Sequence, residues 1–115
     1  MTALAIINKK QGLHLAGGNK TLAGELLGTF MAQLPQALAC ICPPKDRGEL
    51  EALRKHVHKQ LGIACYCGIP RLQQALKALE KSLESKEMAK IKTTISAVLA
   101  EGDELLAEFS RMGYQ

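Results

Sequence analysis

Along most of this chain the apolar residues return every three or four positions, which is the spacing of one helix face and not the alternation of a strand. Leu22, Leu26, Leu27, Phe30, Leu34, Leu38 and Ile41 form a first stripe. Leu50, Leu53, Val57, Leu61 and Ala64 form a second, and Leu72, Leu76, Leu79 and Leu83 a third, with Gln73, Lys77, Lys81 and Glu84 outside it. Met88, Ile91, Ile95, Val98, Leu99, Leu105, Leu106, Phe109 and Met112 form the last. A helix striped in this way must bury its apolar face, and four such helices bury one another.

The punctuation between stripes fits helix ends. Asn8 is placed to cap a short lid helix that stops before Gly17-Gly18, and Asn19 to cap the next one. Pro35 removes one backbone donor inside that second helix, where it should bend the helix without ending it, because the apolar pattern continues in phase to Ile41. Pro43-Pro44 is a stop, and Asp46 with Glu49 has the spacing of a capping box. Gly68 suits a left-handed helix end, Pro70 the first position of the following helix, and Ser85 the cap of the last, within which Gly102 weakens the expectation of a straight rod. The expected helices are therefore 8–16, 20–42, 47–67, 70–84 and 86–112. Short turns between long helices imply antiparallel neighbours, so the expected fold is all-α: an up-down-up-down four-helix bundle with a short N-terminal helix over one end.

Length and composition narrow this further. The 115 residues make one domain, 1–115, large enough for a core without metal or disulfide support. With no Trp, two Phe and two Tyr, that core is aliphatic. The net charge of +4 is spread among acidic residues along the helices, with no basic stripe interleaved with aromatics, which argues against nucleic acid. No apolar run approaches the roughly 20 residues needed to span a bilayer, and the first residues lack the pattern of a signal peptide, so a cytoplasmic protein without direct membrane insertion is expected. In that compartment the four cysteines are thiols. Cys40-x-Cys42 and Cys65-x-Cys67 are spaced too closely for the usual zinc arrangement, and buried small hydrophobes are the expected role.

One side chain stands apart. His58 lies at the edge of the second stripe, roughly 90° from its centre, on the side of Glu51, Lys55 and Gly62. A ring there is anchored by the core yet open to water. His56, two residues away, points about 160° from it, so the two cannot act as a pair, and His14 in the lid region is given no role. Gly62, one turn after His58, costs a helix about 1 kcal/mol relative to alanine, and what it offers in return is clearance beside the imidazole.

His58-Lys59-x-x-Gly62 followed by Cys65-Tyr66-Cys67-Gly68-Ile69-Pro70-x-Leu72 resembles the phosphorylated helix and following turn of histidine-containing phosphotransfer (HPt) domains. The resemblance is greatest to the C-terminal HPt domain of hybrid sensor kinases of the GacS/BarA type. It extends to Gly12-Leu13-x-Leu15-Ala16-Gly17-Gly18-Asn19 and covers roughly residues 6 to 85. It implies that His58 accepts a phosphoryl group from a receiver-domain aspartate of a hybrid kinase and passes it to the aspartate of a response regulator. Lys55, Lys59 and Gly62 are then supporting residues, and Mg²⁺ is supplied by the receiver, so the chain itself needs no cofactor. Members of the family commonly carry a polar residue three positions after the histidine; here that position is Leu61. Gly17-Gly18 lacks the lysine and hydroxyl residue of a phosphate-binding loop, so no kinase or ATPase activity is expected. Two other functions compete: a non-catalytic helical module that binds partners, and an antagonist that docks on a receiver without turning over. Whether the residues act alone or within a membrane-anchored kinase is open at this point.

Overall fold

Asn8 turns its side-chain oxygen onto the N–H of Gln11, 3.0 Å away, and starts α1 (Lys9–Leu15). Gly17 and Gly18 then take positive φ angles of 68° and 84°, which only glycine adopts without strain, and reverse the chain. Asn19 accepts from the N–H of Leu22 at 3.0 Å and starts α2 (Lys20–Ala39). The computed structural model describes residues 4–112, and among these the regular structure is five α-helices and no strand.

α2 ends at Ala39 and not at 42 as the apolar pattern suggested. Its last turn tightens: the N–H groups of Cys40 and Ile41 bond three residues back, to Ala37 and Leu38. Cys42 precedes a proline and is pushed out of the helical region. Ile41 is still buried, which is why the periodicity ran on past the helix. Pro35 lies on the exposed side of α2, where its missing N–H leaves the Met31 carbonyl without the usual partner.

Asp46 begins α3 (Arg47–Ala64) by accepting from the N–H of Glu49 at 2.8 Å. The return bond of the capping box reaches one residue further out, from the N–H of Lys45 to Glu49 Oε1 at 3.0 Å. α3 ends at Ala64, short of the expected 67, for the same reason as α2: Tyr66 and Cys67 bond three residues back, and Gly68 closes the turn at φ 69°. Ile69, fully buried, leads into α4 (Pro70–Ser85), which has proline in place of a side-chain cap at its start.

Ser85 does not cap the last helix. It is the final residue of α4, and its hydroxyl donates to the Ser82 carbonyl at 2.7 Å while accepting from the Glu87 N–H at 3.3 Å. Lys86 turns the chain in the left-handed region at φ 59°, and α5 runs from Met88 to Arg111. Met88, counted in the apolar stripe, is exposed at the helix start.

α3 packs along α4 and α4 along α5, while α2 touches both α3 and α5. The four leucines of α4 at 72, 76, 79 and 83 are almost completely buried, each stabilising the fold by roughly 1.5–3 kcal/mol. They meet Val57, Leu61 and Ala64 of α3, Ile91, Ile95, Val98 and Leu105 of α5, and Leu27, Phe30, Leu34 and Leu38 of α2 in one cluster. Gly102 gives Leu38 its place: a Cβ there would lie 2.6 Å from Leu38 Cδ1. Arg71 ties the first turn of α4 to α5 through Nε and Nη2 donating to Glu101 Oε2 at 3.2 and 3.1 Å.

Candidate functional site

His58 stands on α3 with Val57 on one side of it in sequence fully buried and Lys59 on the other exposed. Its side chain is 81% exposed, and that of Glu80 on α4 is 30% exposed. His58 Nδ1 lies 2.7 Å from Glu80 Oε2. An ionised carboxylate only accepts hydrogen bonds, so Nδ1 carries the proton and donates it. In the neutral ring the other nitrogen, Nε2, then keeps a free lone pair. The pair thus fixes both the tautomer and the tilt of an imidazole that would otherwise turn freely in solvent.

Both members sit at the edges of apolar stripes. Glu80 follows the buried Leu76 by four residues and Leu79 by one, so the packing of α4 on α3 brings it over the histidine's shoulder. Sequence reasoning passed over Glu80. Its edge position was readable from the spacing, but the register of α4 against α3 was not, because it depends on how two leucine faces interlock 22 residues apart in sequence.

The expected neighbours divide. Gly62 and Lys59 line one groove with His58, and a Cβ added at Gly62 would meet no atom within 4 Å. Lys55 is exposed one turn before Lys59 and does not line that groove. Leu61 is buried in the core, where it cannot take the place of a polar group near the ring. His56 is half-buried and turned away: its Nε2 donates to the Ala37 carbonyl at 3.0 Å and fastens α3 to the end of α2. His14 is exposed on α1.

The groove itself runs from His58 and Gly62 across Ile63 and Tyr66 of α3 and its following turn to Leu22 and Leu26 of α2 and Leu15 of α1. Leu22 and Leu26 belong to the stripe that periodicity assigned to the core. Leu22 is instead 40% exposed, because α3 and the turn after it leave that end of α2 uncovered. Leu15 is 39% and Tyr66 59% exposed. An apolar surface beside an oriented nucleophilic nitrogen is suited to a macromolecular partner that brings the reacting group with it.

The cysteines do not share one environment. Cys67 is buried, with its Sγ 3.4 Å from the Ile63 carbonyl, and burial pushes its thiol up to about 11. Cys65 is half-buried, whereas Cys40 and Cys42 are exposed, contrary to the expectation of small buried hydrophobes. Among the described residues no group of three or more His, Cys, Asp or Glu side chains is placed to hold a metal ion, and no helix is long and apolar enough to cross a membrane.

Residues 25–110 match a family whose description is Hpt domain. Over 84 residues the chain is 30% identical to the sensor histidine kinase GacS of Pseudomonas protegens, an alignment covering 73% of this chain and 9% of that protein. Over 79 residues it is 29% identical to the sensor protein GacS of Pseudomonas syringae pv. syringae, covering 69% of this chain and 9% of that protein. The chain thus spans about 9% of the length of these curated relatives. No solved structure matches it significantly.

Proposed function

The chain belongs to the Hpt domain family, and from that premise we propose that it is the phosphohistidine intermediate of a two-component phosphorelay, with His58 as the residue that carries the phosphoryl group. The observation that carries this reading is the 2.7 Å contact between His58 Nδ1 and Glu80, which directs the Nδ1–H to the carboxylate and leaves the lone pair of the neutral ring on Nε2.

The step is a nucleophilic displacement at phosphorus. The Nε2 lone pair forms the N–P bond, the bond from phosphorus to the aspartyl oxygen of a receiver domain breaks, and the departing electron pair regenerates the aspartate carboxylate. Phosphorylation at Nε2 leaves the proton on Nδ1, and the positive charge this places on the ring faces the Glu80 carboxylate. Return transfer to the aspartate of a response regulator runs the same bonds in reverse. Lys59, and Lys55 one turn further, supply positive charge near the phosphoryl oxygens; Gly62 leaves room for the partner. Mg²⁺ and the acidic pocket come with the receiver, so this chain's share of catalysis is orientation and electrostatics. The four long helices are read as an antiparallel up-down-up-down bundle and residues 1–115 as one domain, acting in the cytoplasm.

The test uses receivers phosphorylated on aspartate, incubated with the chain and with His58→Gln. The wild type is expected to gain an acid-labile, base-stable label and the variant none, with both equally helical. ATP and Mg²⁺ alone should label neither. Label on the variant would remove His58 from its role. Receiver binding without transfer would leave a docking module or antagonist in its place.

A further inference from the structure

On a continuing helix, side chains two positions apart point in opposed directions. Because α2 ends at Ala39 and Cys42 lies in the non-helical segment before Pro43, Cys40 and Cys42 escape that rule. Both are exposed, and both line one cavity of about 570 Å³ together with Lys45 and with Leu53 and His56 of α3. Ile41 between them and Pro44 beyond them are buried, which anchors the segment while the two cysteines stay at the surface.

The other two cysteines are engaged elsewhere. Cys67 is buried, its Sγ directed at the carbonyls of Leu26 and Ile63 at 3.7 and 3.4 Å. Cys65 is half-buried and accepts from Gln73 Nε2 at 3.4 Å. Only the pair at the end of α2 combines exposure with a shared cavity. Two Cα atoms separated by one residue lie at most about 7 Å apart. The roughly 4.4–6.8 Å that a disulfide requires is therefore within reach of this segment without moving a helix.

We infer that Cys40 and Cys42 are a redox-active dithiol, and that the cavity they line receives a small peptide disulfide of the size of glutathione disulfide. The cavity is of the size that holds small ligands, and Lys45 on its wall suits an anionic peptide. Glu49, also on the wall, is turned to the Lys45 N–H at 3.0 Å. The thiolate of one cysteine attacks a sulfur of the small disulfide; a protein–peptide S–S bond forms, the original S–S bond breaks, and the departing thiolate takes up a proton. The second cysteine then attacks the protein-side sulfur of that mixed disulfide, closing the Cys40–Cys42 bond and releasing the second peptide thiol. The two cysteines are oxidised and the small disulfide is reduced to two thiols, so no further oxidant enters. In a reducing compartment the pair rests as thiols and oxidises transiently. His56 on the cavity wall points about 160° around α3 from His58, so this site is separate from the phosphoryl site and does not depend on the relay.

The experiment incubates the folded chain with glutathione disulfide and maps the cysteines by peptide mass spectrometry. The wild type should lose two hydrogens, with the bond joining Cys40 to Cys42, and dithiothreitol should restore both thiols. Cys65 and Cys67 should stay reduced in the folded chain. Unfolded in urea, they should react as readily as the first pair, because they have the same spacing. Cys40→Ser and Cys42→Ser should each stop at one glutathionyl group on the remaining cysteine, which the wild type should hold at a level roughly tenfold or more lower because its second thiol is intramolecular. A mixed disulfide that persists in the wild type, a bond to Cys65 or Cys67, a disulfide between two chains, or no reaction at Cys40 and Cys42 would each overturn the inference. The mapping of the wild type needs no variant and so does not depend on how the serine forms fold.

Discussion

At the scale of the residue, chemistry turns on which nitrogen of His58 is free. Glu80 decides this by accepting a hydrogen bond from the Nδ1–H, and the two properties it supplies, acceptor geometry and negative charge, separate by substitution. Glu80→Gln keeps an acceptor and loses the charge; Glu80→Ala loses both. Single-turnover transfer from a receiver should fall a few-fold in the first and about tenfold or more in the second, the latter corresponding to about 1.4 kcal/mol of transition-state stabilisation. Equal rates in all three proteins would leave Glu80 without a part in the reaction. Gly62 offers a sign test, because stability and transfer are expected to move in opposite directions. Open space surrounds its position, so Gly62→Gln should hold or raise the melting temperature while slowing receiver-to-His58 transfer tenfold or more. Unchanged transfer would show that the glycine provides no needed clearance. Cys67 gives a pH test. Burial raises its pKa from 9.0 to about 11, so the folded chain holds the thiol proton more tightly than the unfolded one does. The stability this contributes is complete below about 9 and is lost as pH rises towards about 11. Alkylation followed by mass spectrometry at mildly alkaline pH should mark the exposed Cys40 and Cys42 well before Cys67. Early modification of Cys67 in the native protein would contradict its burial.

Between elements, the turn at Gly68 joins α1, α3 and α4. An alanine there would be left-handed and would collide with the backbone of Asn8 and Gly12, so α1 must lift away. Gly68→Ala should lose at least 1–2 kcal/mol from backbone strain alone, seen as a melting temperature lower by roughly 4 °C or more. A melting temperature equal to the wild type's would mean that α1 is not seated as described. The sequence announces this turn through its glycine and proline, and the starts of α1, α2 and α3 through Asn8, Asn19 and Asp46, because caps are local chemistry. Helix ends were less legible. α2 and α3 each finish with bonds reaching three residues back, a geometry that keeps apolar residues such as Ile41 and Cys67 buried and so prolongs the periodic signal beyond the helix. Ser85 was misread because a serine between two helices can serve either end, and here it closes α4 while taking the Glu87 N–H. The exposed position of His58 followed from its angle on α3 alone; Glu80 and the groove wall did not, since both depend on how separate helices dock.

For the molecule as a whole, a leucine-rich core fixes four long helices against one another and leaves one region of their surface unfinished. That region is where α1, α2 and α3 meet around His58, and it combines an oriented imidazole with exposed apolar area. In the relay proposed above, rigidity is its contribution: the histidine is presented at a fixed tilt, and a receiver would bring phosphorus, metal and acid groups to it. A net charge of +4 should assist this encounter, so the association rate with an acidic receiver is expected to fall as salt is raised, measurable by stopped-flow mixing. A rate independent of ionic strength would rule out electrostatic steering. The central claim, that Glu80 makes Nε2 of His58 the phosphoryl acceptor, is tested most directly by ³¹P and ¹⁵N NMR of the chain carrying ring-labelled histidine after transfer from a receiver. The predicted spectrum has phosphorus bonded to Nε2 of His58 with a proton on Nδ1; phosphorus on Nδ1, or on any other residue, would contradict the account.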